Sequence, residues 1–124
     1  MFNSIALVGG THGNETSGIQ LIRNWQQFGL PSRFNELNVS LSIANEAAIA
    51  ANVRFVDEDL NRQFTFERLS NNNSAKEAEL AKALNQQLGP KGDSNTDFVI
   101  DIHNTTSEMG ATLIILEADE FHIQ

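Results

Sequence analysis

The sequence contains no cysteine, so it has no disulfide, no thiolate metal ligand and no thiol nucleophile. Any bound metal would have to be held by His, Asp or Glu. Positive charge is scarce as well: 8 Lys and Arg stand against 16 Asp and Glu, for a formal net charge of −8. Such a chain lacks the basic face with which a general nucleic-acid binder displaces counterions from phosphate, and nucleic acid is not an expected partner. A small acidic substrate is still compatible with that balance, because a pair of arginines in one cleft outweighs a diffuse surface charge.

Long apolar runs are missing too. The first apolar stretch, Ile5-Ala6-Leu7-Val8, is too short for a membrane span or a signal-peptide core, and no basic segment precedes it. The expectation is a soluble, cytoplasmic protein with no membrane partner. On that reading Asn14-Glu15-Thr16, Asn38-Val39-Ser40 and Asn104-Thr105-Thr106 match the glycosylation acceptor pattern by chance. No internal repeat is present, and Asn71-Asn72-Asn73 is the one low-complexity run.

What is present reads as one globular domain. With 124 residues, 40% of them hydrophobic and 19% charged, the chain lies near globular averages. A chain of this size can bury roughly two-thirds of the surface its unfolded form exposes. Ser4 to Val8 reads as a buried strand ended by Gly9-Gly10. A helix follows from about Glu15 to Phe28, with Ile19, Leu21, Ile22, Trp25 and Phe28 on one wide face and Gly29 and Pro31 as its stop. Val39, Leu41 and Ile43 alternate with smaller residues as in a half-buried strand, and Glu46 to Ala51 is a short helical piece. Val53 to Arg68 has no period and is crowded with charge, which reads as a functional loop.

Next comes a helix carrying Leu80, Ala81, Leu84 and Leu88 on one face, with Ser74 and Glu77 as a capping box and Gly89-Pro90 as terminator. Phe98-Val99-Ile100 is a continuous apolar run, the pattern of a strand covered on both faces, and Thr112 to Leu116 reads as a further strand. Alternating strands and helices predict an α/β fold with a mixed, largely parallel sheet flanked by helices. Ligands of such sheets sit beyond the carboxyl ends of the strands, where both His12 and His103 fall.

The stretch Gly9-Gly10-Thr11-His12-Gly13-Asn14-Glu15 puts an imidazole and a carboxylate three residues apart at a strand-to-helix turn. They can converge on one ion. Two histidines and one carboxylate with an open position form a usual catalytic zinc arrangement, and His103 is the candidate third ligand. Asp101 shares a strand face with His103 and can either orient that imidazole or serve the strand end. Asp59-Leu60-Asn61-Arg62 adds an arginine and an asparagine in the aperiodic loop, which otherwise reads as a solvated surface.

Three motifs occur in order: Gly10-Thr11-His12-Gly13-Asn14-Glu15, then Arg54 with Asp59-Leu60-Asn61-Arg62-Gln63-Phe64, then Asp101-Ile102-His103-Asn104-Thr105-Thr106-Ser107. Together they resemble the aspartoacylase and succinylglutamate desuccinylase family of zinc carboxypeptidase-like hydrolases, from Ile5 to about Leu116. The resemblance implies a zinc carboxypeptidase-like (phosphorylase/hydrolase-like) fold and one zinc per chain held by His12, Glu15 and His103. It also implies that Asn61 and Arg62 clamp the carboxylate of an N-acyl amino acid and that Arg54 polarises the scissile carbonyl. The Asn-Thr-Thr after His103 leans towards the aspartoacylase branch, which implies deacylation of N-acetyl-aspartate to acetate and aspartate. A desuccinylase-like deacylase, another N-acyl amino acid deacylase and a non-catalytic metal-binding fragment are the alternatives.

The family's general base is a glutamate, and none of Glu108, Glu117 and Glu120 matches its position. Residues 1–124 are therefore expected to be the N-terminal part of a zinc-hydrolase catalytic domain whose C-terminal remainder is absent. Such a piece would expose apolar surface and unpaired strand, and so self-associate. His122 reads as an exposed terminal residue.

Overall fold

The computed structural model describes residues 3–115. Strands β1 (Ser4–Gly9), β2 (Asn38–Ile43) and β3 (Phe98–Ile102) form one parallel sheet in the order β2-β1-β3. Between them run the helices α1 (Thr16–Phe28), α2 (Glu46–Ala51), α3 (Phe66–Ser70) and α4 (Lys76–Leu88), with 3-10 turns at Ser32–Phe34 and Leu60–Arg62. The α/β class is as the sequence predicts. All of the described strand pairs are parallel, with Gly9 opposite Ile43 on one side and Ile102 on the other, so the three strands end level. That shared end is where the site forms.

Side chains of β1 alternate between two layers, as the period of a strand requires. Ile5 and Leu7 face a small apolar groove beside Trp25 of α1, while Val8 joins Ala44, Leu60, Ala81 and Leu84 in the core against α4. Ile19 and Ile22 are the buried residues of α1's apolar face, whereas Phe28, on the same predicted face, is left exposed at the helix end. Leu60 is completely buried, which contributes about 1.5–3 kcal/mol and pins the charged loop to the core at its centre.

Besides the exposed Phe28 and the helix α3, which begins at Phe66 inside the stretch read as loop, the sequence reading departs from the structure in three places. Ser74 and Glu77 do not form a capping box: Ala75 is the N-cap residue of α4 and makes no side-chain cap. The first-turn N–H of Lys76 donates instead to Asp57 Oδ2 at 2.9 Å, and Glu77 is turned into the protein. β3 is the outermost described strand, so Val99 and Ile100 remain 50% and 39% exposed rather than covered on both faces. Residues 112–115 form no strand, and Leu113 and Ile114 stand in solvent without a ladder partner among the described residues. Leu116, Glu117, Glu120 and His122 lie outside the described residues.

Candidate metal centre

Gly10 turns the chain at the end of β1 with φ of 75°, a left-handed conformation that glycine adopts without a steric penalty. Three residues on, Gly13 lies so near α2 that a Cβ built there would be 2.1 Å from the carbonyl carbon of Ala48. Its N–H donates to the Arg54 carbonyl at 3.2 Å. This close approach seats His12 in the interior, 3% exposed, between the strand end and the charged loop. Glu15 is the extended N-cap residue of α1, and its N–H donates to the His12 carbonyl at 3.2 Å.

His103 follows the end of the neighbouring strand, so two sequence-distant imidazoles meet at one carboxylate. His12 Nδ1 lies 2.7 Å from Glu15 Oε1, and His103 Nδ1 lies 2.9 Å from Glu15 Oε2. One ligand atom from each of the three residues falls within 4.8 Å of the others. The opposite ring nitrogens are held by carboxylates: His12 Nε2 by Asp59 Oδ1 at 3.0 Å, and His103 Nε2 by Asp101 Oδ2 at 2.7 Å. Carboxylates in that position orient an imidazole and raise its basicity as a ligand. Two imidazoles and one carboxylate, each with a ligand atom turned to a common point, suit a divalent cation of zinc type.

Further hydrogen bonds hold these orienting groups. Thr11 Oγ1 donates to Asp101 Oδ1 at 2.8 Å, and the Asn104 N–H donates to Glu15 Oε2 at 2.8 Å. Asn104 in turn exchanges two hydrogen bonds with Ser17, which ties the segment after β3 to the first turn of α1. The hydrogen bond to Asp101 is the main reason that His103 is raised to about 9, with Glu15 adding to it and burial opposing it. Burial works to raise Glu15, but hydrogen bonds from Asn104, His12 and His103 outweigh it and leave the carboxyl below its usual value. Asp59 follows the same pattern, its burial outweighed by His12, the Asn61 N–H and Arg54.

The charged loop brings the remaining candidates to the same rim. Arg54 is 51% exposed, with its guanidinium 3.6 Å from Glu15 Oε1 and 3.4 Å from Asp59 Oδ2. Asn61 places Nδ2 3.4 Å from His103 Nε2. Arg62, on the same 3-10 turn, is exposed and forms no ion pair among the described residues. All six residues singled out in the sequence therefore come from segments that meet at this rim, with Arg62 the one whose side chain makes no hydrogen bond or ion pair to the cluster among the described residues. Asp59 received no role of its own from the sequence, although it lies in the quoted motif. Its partner His12 is 47 residues away, a separation that local spacing does not reveal.

Over residues 2–124 the chain matches the family described as succinylglutamate desuccinylase/aspartoacylase catalytic domain. The chain belongs to that family. A probable aspartoacylase of Trichodesmium erythraeum is 43% identical over 124 residues, covering 98% of this chain and 42% of the relative. An N-acyl-aromatic-L-amino acid amidohydrolase (carboxylate-forming) of Xenopus laevis is 40% identical over 122 residues, covering 96% and 40%. The crystal structure of murine aminoacylase 3 superposes with a TM-score of 0.75 at 40% identity, over 86% of this chain and 36% of that one. The chain thus spans about two-fifths of the length of these curated members of the succinylglutamate desuccinylase/aspartoacylase family. The three-stranded parallel sheet with its helices is that family's zinc carboxypeptidase-like fold.

Proposed function

We propose that this chain is the metal- and carboxylate-binding part of a zinc-dependent deacylase that hydrolyses the amide of an N-acyl amino acid. The observation that carries the reading is the convergence of His12, Glu15 and His103 on one point, with the Arg54 guanidinium 3.6 Å from the shared carboxylate. His12 and His103 through Nδ1, and Glu15 through its carboxylate, would hold one zinc per chain. Zinc in that position supplies Lewis-acid polarisation of an amide carbonyl and lowers the pKa of water to about 7.

The chain's own residues supply binding and orientation. Arg62 is exposed and outside any described ion pair, so its fork of donors is free to meet a substrate carboxylate with two parallel hydrogen bonds, assisted by Asn61. Arg54 is held by Glu15 and Asp59 beside the metal ligands, where a cation stabilises negative charge developing on a carbonyl oxygen. Glu15, Asp59 and Asp101 are each engaged with an imidazole, so none of them is the free base that must accept a proton from water. The general base is accordingly assigned to no residue of this cluster, in keeping with residues 1–124 being one part of a larger catalytic domain that works in the cytoplasm.

N-acetyl-aspartate is the first substrate to test, since the Trichodesmium relative is named a probable aspartoacylase. A second reading, an N-acyl aromatic amino acid as substrate, is favoured by the near-equal identity to the Xenopus amidohydrolase. Elemental analysis should find about one zinc per chain. Calorimetric titration of the zinc-loaded chain with N-acetyl-aspartate and N-acetyl-phenylalanine should then show binding of one in preference to the other. A chain that takes up no metal, or binds neither acyl amino acid, would sink the reading.

A further inference from the structure

Glu77 is completely buried, yet it forms no ion pair with any Lys or Arg among the described residues. Its charge is met by hydrogen-bond donors instead. Oε1 accepts from the Val56 N–H at 2.6 Å and from Asn45 Nδ2 at 3.1 Å, and Oε2 accepts from the N–H groups of Asp57 and Glu58, both at 3.0 Å. Three successive backbone N–H groups pointing at one anion form a nest, a concavity that ordinarily binds phosphate or another small anion. Here a side chain of α4 fills it. The exchange is reciprocal, because Asp57 Oδ2 accepts the first-turn N–H of α4 at Lys76. Asn45 extends the bond network to α2, where its Oδ1 accepts the Ala48 N–H at 3.1 Å, and Ala48 is the residue that packs against Gly13.

The nest lies between Arg54 and Asp59, whose side chains make the loop's contacts to Glu15 and His12. We propose that Glu77 is a positioning residue of the site: its buried carboxylate fixes the backbone of residues 56–58 and thereby sets where Arg54, Asp59, Asn61 and Arg62 stand relative to the metal ligands. Neutral hydrogen-bonding groups cannot substitute. A Gln at this position presents an NH2 group to backbone N–H donors, and donors left facing one another inside the protein displace the loop. The portion of this inference that concerns substrate rests on the deacylase reading; the portion that concerns the loop and His12 does not.

The test uses the zinc-loaded chain, Glu77→Gln, and Glu77→Asp as the milder variant that keeps the charge. In Glu77→Gln, amide hydrogen exchange at Val56, Asp57 and Glu58 should accelerate by about tenfold to a hundredfold, the equivalent of leaving buried donors unmatched. Exchange at Ala6 and Val8 in β1 should stay at the wild-type rate. N-acetyl-aspartate binding should weaken by a similar factor while about one zinc per chain is retained. Glu77→Asp should recover part of both effects. Wild-type exchange at the three amides, or wild-type ligand affinity despite a loosened loop, would overturn the proposal. So would uniform loss of protection through β1 in both variants, which would make Glu77 a folding residue alone. If the wild-type chain binds no acyl amino acid, the deacylase reading fails, and exchange together with zinc affinity still decides the role of Glu77.

Discussion

The two halves of the rim are built by different means. His12, Glu15 and His103 sit at the ends of adjacent parallel strands, where ladder register and a glycine pressed against Ala48 decide their spacing. Arg54, Asp59, Asn61 and Arg62 sit on an aperiodic stretch that has no ladder to fix it. It is held by one fully buried core residue, Leu60, and by the Glu77 carboxylate. Sheet register tolerates loss of a side chain, whereas a loop held chiefly by one core residue and one buried charge does not. The ligand half should therefore fail residue by residue, and the loop half as a unit.

The largest effect expected is from His12→Ala. It removes one of the three proposed ligands and leaves Asp59 without its imidazole, so zinc measured by elemental analysis should fall from about one per chain to near zero. Unchanged zinc content would dissolve the distinction between the halves, because the strand-end half would then not be the metal-binding half. Arg62→Ala comes next. It should retain zinc and weaken N-acetyl-aspartate binding by calorimetry by about 1.5–3 kcal/mol, the range for a hydrogen bond to a charged group. A variant with wild-type affinity would remove Arg62 from the proposed clamp.

Opposite responses to pH sharpen the same contrast. His103 is raised to about 9, mainly by Asp101, so its contribution to the stability of the metal-free chain is complete below pH 6.5 and is lost as pH rises through about 9. Zinc needs the deprotonated ring, so zinc affinity should climb by about tenfold per pH unit between 7 and 9 and then level off. Burial tends to raise Glu77, but hydrogen bonds from Val56, Glu58, Asn45 and Asp57 prevail and bring it to about 2. A depressed carboxyl stabilises the fold above pH 4.5, and that stability is lost as pH falls from there through about 2. Denaturant titrations across pH, with and without Glu77→Gln, should show the acid-side slope become shallower in the variant, with Glu15 and Asp59 supplying what remains. Zinc competition assays should show Asp101→Asn moving the alkaline plateau to lower pH.

Much of this was legible in the sequence because it is local. The end of β1, the glycine turn, the amphipathic α1 and the three motifs all declare themselves within a few residues. The Asp59 and Glu77 contacts do not, because their partners lie 47 and about 20 residues away. For Glu77 the local pattern misled: Ser74 three residues before an acid is the signature of a capping box, but nothing in a four-residue window reveals the nest at 56–58. The apolar run at Phe98-Val99-Ile100 gives its strand correctly and its covering incorrectly, since burial of β3 depends on what lies beyond it and not on its own composition.

The smallest effect expected lies away from both halves. Arg23 and Glu46 form an ion pair at 3.1 Å linking α1 to α2, and α2 is the helix that supplies Ala48 to the Gly13 contact. Both side chains are more than half exposed, so water screens the attraction, and such pairs contribute about 0–1 kcal/mol. Arg23→Ala should therefore shift a chemical-denaturation midpoint little and leave zinc affinity unchanged. A large loss of zinc affinity in that variant would mean that α2 is located by its surface charge rather than by the packing of Gly13 against Ala48. The strand-end half would then depend on a long-range tether as much as the loop half does, and the contrast between them would close.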